Sequence, residues 1–135
     1  MYGGALYSGG SVTIENCTFS KNACSPTSPI SAEGGAVYNY GVLEISNSIF
    51  VSNWVQGAMA ATSDSPHNPQ PPSAAGYGGA ICNAGGTVTL NGVTFFGNRA
   101  SGGVADDTTF QGPGRGGQAY GGAISSIGGL SLIHI

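Results

Sequence analysis

Reactive side chains are few in this sequence, and the ones placed to cooperate are Asp106 and Asp107 with Arg99 and Arg115 nearby. Neighbouring carboxylates are the ligand type that calcium takes, and an acid beside a cation suits a uronate sugar. Asp106, Asp107 and Arg115 are therefore contact or site candidates, although a solvated acidic loop accounts for the same residues. Glu15 and Glu44 occupy equivalent or neighbouring polar slots, and paired carboxylates hydrolyse glycosides at separations of roughly 5 to 9.5 Å. The next unit carries Thr89 or Asn91 there, with no cation or aromatic sugar platform fixed beside the pair, so a solvated strand face is the better account. His67 lies in the run SDSPHNPQPPS, where a lone imidazole is a loop residue before it is a base.

The glycine pairs in YGGAL (Tyr2 to Leu6), EGGAV (Glu33 to Val37) and YGGAI (Tyr77 to Ile81, Tyr120 to Ile124) invite a phosphate-loop reading. A phosphate cradle needs a helix after the glycines and a Lys-Ser or Lys-Thr pair, or the full GxGxxG spacing. None is present. Cys17, Cys24 and Cys82 make an odd count without CxxC spacing, so neither a zinc knuckle nor a closed disulfide framework is indicated. Cys17 and Cys24 are near enough in sequence to pair in an oxidising compartment, and small buried thiols are the alternative. Asn16-Cys17-Thr18 fits the N-glycosylation sequon. No metal or cofactor is expected from these residue types.

The chain of 135 residues is short enough for one domain, and 40% hydrophobic content suffices for a core if the pattern brings those residues together. A net charge of -3, with only Lys21, Arg99 and Arg115 as cations, gives no basic stripe, which excludes nucleic acid as a partner. No run of 18 apolar residues spans a membrane, and the first 20 residues lack the basic and apolar regions of a signal peptide.

The elements that must position these side chains come from a repeat. The glycine pairs bring a second motif into register: FSKN (Phe19 to Asn22), FVSN (Phe50 to Asn53) and FFGN (Phe95 to Asn98). Full units occupy 3–22, 34–53 and 78–98, a fourth begins at 121–129, and inserts of unequal length fill 23–33, 54–77 and 99–120. Near-constant unit length with varied filling marks a solenoid whose insertions emerge on one face. Inside each unit, VTI (Val12 to Ile14), LEI (Leu43 to Ile45), VTL (Val88 to Leu90) and LSL (Leu130 to Leu132) alternate with period two. That is strand patterning with one face buried.

The expected fold is all-β, a parallel β-solenoid of about three full rungs plus a partial fourth, with long loop inserts. Four columns would form its core. They are Leu6, Val37, Ile81 and Ile124; Val12, Leu43, Val88 and Leu130; Ile14, Ile45, Leu90 and Leu132; and Phe19, Phe50 and Phe95. Asn22, Asn53 and Asn98 are expected to form an amide ladder at a turn that favours the left-handed conformation. Gly3, Gly4, Gly34, Gly35, Gly78, Gly79, Gly121 and Gly122 are expected where the chain re-enters each rung, through positive φ or close contact between rungs. The outer slots Thr13, Glu44, Thr89 and Ser131 form no threonine ladder, which argues against ice binding.

The combination of GGA[ILV] with FxxN at this spacing resembles the chlamydial polymorphic outer-membrane protein repeat of the pectin-lyase-like superfamily. The resemblance covers three units and the start of a fourth. It implies a right-handed parallel β-helix at a cell surface, in an outer membrane or secreted, often as an autotransporter passenger. Adhesion is the implied role, with a host-surface protein or glycan as partner, and inserts 54–77 and 99–120 are where contacts are expected. Polysaccharide lyases and glycoside hydrolases share the superfold, which makes a fragment of such an enzyme the competing expectation. Their clustered Asp, Arg, Lys and His residues have no counterpart on these strands.

The closing LSLIHI looks like a translated sequencing-adapter end, so residues 130–135 are expected to be a scar and the repeat fragment to be 1–129. Met1 stands directly before YGGAL, which leads to the further expectation that flanking rungs belong to the same polypeptide.

Overall fold

The computed structural model describes residues 1–28, 30–59, 73–104 and 116–134, the stretch 130–134 by its backbone alone. Short alternating segments and left-handed turns give five strands per coil. The first coil contains β1 (Leu6–Ser8), β2 (Ser11–Glu15), β3 (Thr18–Ser20), β4 (Ala23–Cys24) and β5 (Ala32–Glu33). The second contains β6 (Val37–Asn39), β7 (Val42–Ser46), β8 (Ile49–Val51), β9 (Trp54–Gln56) and β10 (Gly76–Tyr77). In the third are β11 (Ile81–Ala84), β12 (Thr87–Asn91), β13 (Thr94–Phe96), β14 (Arg99–Ser101) and β15 (Ala119–Tyr120), and β16 (Ile124–Ile127) and β17 (Leu130–His134) open a fourth. Every strand pairs in parallel with its equivalent one coil away, giving five sheets that run along a parallel β-helix.

The columns follow the register. Leu6, Val37, Ile81 and Ile124 align, as do Val12, Leu43 and Val88, and Ile14, Ile45 and Leu90. Phe19, Phe50 and Phe95 stack with ring centroids 4.6 and 5.2 Å apart. Phe50, Leu43, Val37 and Ile81 are fully buried in the middle coils, while Leu6, Val12, Phe19 and Ile124 of the outer coils are only partly covered. Each fully buried side chain of this kind contributes about 1.5 to 3 kcal/mol relative to exposure.

The fourth coil corrects the expected columns. Leu130 pairs with Thr87 and Leu132 with Thr89, so the residues in register with Val88 and Leu90 are Ser131 and Ile133. The cause is one extra residue before β12: Val37 and Leu43 are six apart, Ile81 and Val88 seven, and the fourth coil copies the longer spacing through Gly128-Gly129. In a strand a one-residue offset exchanges the two faces. Ser131 therefore does not belong to the outer row of Thr13, Glu44 and Thr89.

The glycine pairs divide their work. Gly34, the first of its pair, has φ 69°, and a Cβ on Gly35, the second, would lie 2.0 Å from the Gly79 carbonyl oxygen. The left-handed position near the amide ladder is not the Asn itself. It is the preceding residue, Lys21 (φ 55°), Ser52 (54°) or Gly97 (62°). The ladder forms as expected: Asn22 donates from N and Nδ2 to Asn53 Oδ1, at 3.0 and 2.9 Å, and Asn53 repeats both bonds to Asn98. Asn53 and Asn98 also donate from Nδ2 to the carbonyls of Phe19 and Phe50 in the preceding coil.

The inserts begin and end as part of the coil. β4, β9 and β14 start them and β5, β10 and β15 close them, so all three leave the β-helix between the same two sheets. Stems of the longer two are held together by bonds from Ala74 N to Ala58 O, Gly103 N to Ala74 O and Gly117 N to Gly103 O.

Candidate functional site

A tyrosine before a glycine pair starts each occurrence of YGGA, and parallel register stacks these positions. The column reads Tyr2, Glu33, Tyr77, Tyr120. Beside it, one residue past the buried Leu6 column, alternation turns Tyr7, Tyr38, Cys82 and Ser125 outward. Tyr40 leaves the same sheet and lies over Gly9, where a Cβ would meet its hydroxyl at 2.3 Å. All six tyrosines of the chain thus share one face.

Within that face Tyr7 and Tyr38 stack at 5.3 Å, Tyr77 and Tyr120 at 4.8 Å, and Tyr2 tilts against Tyr38 at 4.6 Å. Stacking leaves ring edges and hydroxyls outward, with Tyr2 and Tyr7 still 53% and 55% exposed. Glu33 is half-buried where the column substitutes a carboxylate for a phenol. Cys82 is fully buried beneath, its thiol 3.9 Å from Glu33 Oε2.

Burial sets the charge state of this group. It raises the Glu33 carboxyl above its ordinary value, with the amino terminus and the Cys82 thiol opposing. Burial, then the nearby Glu33 and Cys24, pushes the Cys82 thiol up to about 12. The Tyr38 phenol is likewise lifted to about 12, by burial first and by Glu33 second. At neutral pH Cys82 is a protonated thiol, and nucleophilic chemistry requires the thiolate. Tyrosine supplies rigid amphipathic contact area with a hydroxyl at its rim, and little side-chain entropy is lost on contact.

Other expected site residues are placed as follows. Glu15 and Glu44 line one shallow groove of about 280 Å³ with Thr13, Ser46, Thr89 and Asn91. Glu44 pairs with Thr13 and Glu15 with Ser46, so the acids occupy neighbouring slots out of step by two residues, and no cation lines the groove. Asp106, Asp107, Arg115 and His67 lie outside the described residues. Cys17 is exposed while Cys24 and Cys82 are buried, and all three are free thiols, so Cys17 and Cys24 do not form a disulfide. Asn16 is exposed in a turn at φ 54°. Among the described residues no group of three or more His, Cys, Asp or Glu could hold a metal ion, and no helix is long and apolar enough to cross a membrane.

Two features escaped the sequence reading. One is the tyrosine face, whose signal was the recurrence of Tyr immediately before or three to five residues after a glycine pair. The other is a second amide ladder: Asn39 donates to Asn83 Oδ1 at 2.9 Å, and both are fully buried. Ser8 and Ser126 hold that position in the outer coils, each four residues after the second glycine, as are Asn39 and Asn83. No protein-family model, curated protein or solved structure matches the chain.

Proposed function

We propose that this chain is a non-enzymatic adhesion segment of a cell-surface, outer-membrane or secreted β-helix, with the tyrosine face as its contact surface. The observation that carries the reading is the clustering of all six tyrosines on one face, with Tyr2 and Tyr7 more than half exposed. An exposed aromatic patch is costly to maintain in water unless it meets a partner. The resemblance to the polymorphic outer-membrane protein repeat supports the same role, as do rungs held by internal amide ladders that leave outer positions free to vary. A host-surface protein or glycan is the partner class, approached through phenol hydroxyls and ring edges.

The test is adhesion of beads coated with the chain to cultured cells, with soluble chain as competitor. Beads carrying Tyr7→Ser with Tyr38→Ser are expected to lose most of the adhesion that soluble chain can displace. Undiminished, displaceable adhesion by that variant would remove the tyrosine face from the function.

A further inference from the structure

We propose a second, independent binding site, the groove between β9 and β14, which takes a sugar ring carrying a carboxylate. Trp54 and Arg99 are register partners on adjacent coils, and so are Gln56 and Ser101. With Ser52 and Gly97 they line a groove of about 290 Å³, a size suited to one small ring rather than an extended ligand. The opening exists because of Gly97. Its φ of 62° favours glycine, and above its α-carbon the nearest atom to a Cβ would be Ser52 Oγ, at 3.5 Å. A turn requirement therefore leaves an unfilled slot in the groove that Arg99 also lines.

The lining specifies the ligand. Trp54, partly exposed, offers an indole surface for the C–H face of a pyranose. The Arg99 guanidinium presents a planar fork that matches a carboxylate bidentately. The Gln56 amide and the serine hydroxyls suit ring hydroxyls; Ser101 Oγ already donates to Gly102 O, which leaves it as an acceptor.

Charge distribution sends an anionic ligand to this groove. Backbone bonds from Lys21 N to Val51 O and from Ser52 N to Phe96 O put Lys21, Ser52 and Gly97 in one column. The side-chain cations among the described residues, Lys21 and Arg99, thus flank Ser52 and Trp54. Glu15 and Glu44 lie on the β2–β7 sheet with no cation lining their groove, so that surface repels an acid. A bare phosphate is better met by converging backbone N–H groups, and those of Ser52, Trp54 and Arg99 are already bonded to the carbonyls of Phe96, Asn22 and Asn53.

Trp54 is the sole tryptophan, so its fluorescence reports on this groove alone. The full chain is titrated with sialyllactose, with a glucuronic-acid disaccharide, with lactose and with inorganic phosphate. At least one acidic sugar is expected to shift Trp54 emission saturably while lactose and phosphate do not; the two acidic arms distinguish a sialic from a uronic acid. Arg99→Gln is expected to weaken binding by about tenfold or more, the loss of a charged hydrogen-bonding partner. Gly97→Asn tolerates the left-handed turn and fills the slot with Arg99 intact, so it too is expected to abolish the shift. Equal response to lactose, equal response to phosphate, no response to either acidic sugar, or unchanged affinity in folded Arg99→Gln would each overturn the proposal.

Discussion

Asn22, Asn53 and Asn98 keep one residue type through three coils, whereas the outward column of Tyr7, Tyr38, Cys82 and Ser125 changes chemistry halfway along. Both columns stack at the same rung spacing of about 4.8 Å. The inner one is fixed because each amide must satisfy the coil on either side of it. Asn53 alone accepts two bonds from Asn22, donates two to Asn98 and reaches the Phe19 carbonyl. The outer column faces no such demand, so its tyrosines are additions to the fold rather than requirements of it. The difference separates what builds the β-helix from what the β-helix displays.

That division can be broken first at its most buried point. Phe50→Ala empties the space between Phe19 and Phe95 and is expected to cost about 3 to 5 kcal/mol, read as a fall in the denaturant midpoint. Asn53→Leu strands donors on Asn22 and the Phe19 carbonyl, and is expected to cost about 3 kcal/mol in the same measurement. If Asn53→Leu were neutral while Phe50→Ala unfolded the chain, the amide ladder would be an ornament of the coil. On the outer face, Tyr7→Ser with Tyr38→Ser is expected to cost about 2 kcal/mol, the aromatic pair together with the partial burial of Tyr38.

Two smaller effects sharpen the contrast through the thiols. A disulfide-exchange reagent is expected to label Cys17 rapidly and Cys24 and Cys82 only on unfolding. Rapid labelling of Cys82 itself, located by mass spectrometry, would mean that the tyrosine layer does not cover it. Because the folded-state value of Cys82 lies near 12, above the ordinary 9, its contribution to stability is fully present below pH 9 and is lost as pH rises toward 12. Cys82→Ala is expected to reduce that alkaline loss, leaving the part that the raised Tyr38 phenol contributes above pH 10. For Glu33, also raised, stability is greatest with the carboxyl protonated and declines as pH rises through its folded value, so Glu33→Gln is expected to remove a small decline in the weakly acidic range.

The scaffold was legible in the sequence because its requirements recur. Glycine at φ 69° in Gly34, a Cβ excluded at Gly35, and a benzyl group at Phe50 are needed once per coil, so they repeat. Asn39 and Asn83 were harder to read because Ser8 and Ser126 take that slot in the outer coils, which broke the recurrence at half its positions. Leu130 was misplaced because LSL imitates VTL in spelling, while register is set by the spacing from Ile124 through Gly128-Gly129. The tyrosine face lay hidden for a different reason. Its members come from two columns and a turn, up to 118 residues apart in sequence, and only parallel stacking gathers them.

The central claim is that the tyrosine face can be removed from the β-helix without removing the β-helix. Adhesion of coated beads to cultured cells and thermal unfolding should therefore be measured on one preparation of a Tyr2→Ser, Tyr7→Ser, Tyr38→Ser variant beside the parent chain. A cooperative melt within a few degrees of the parent, with adhesion abolished, is the predicted result. Retained adhesion at an unchanged melting temperature would contradict the account.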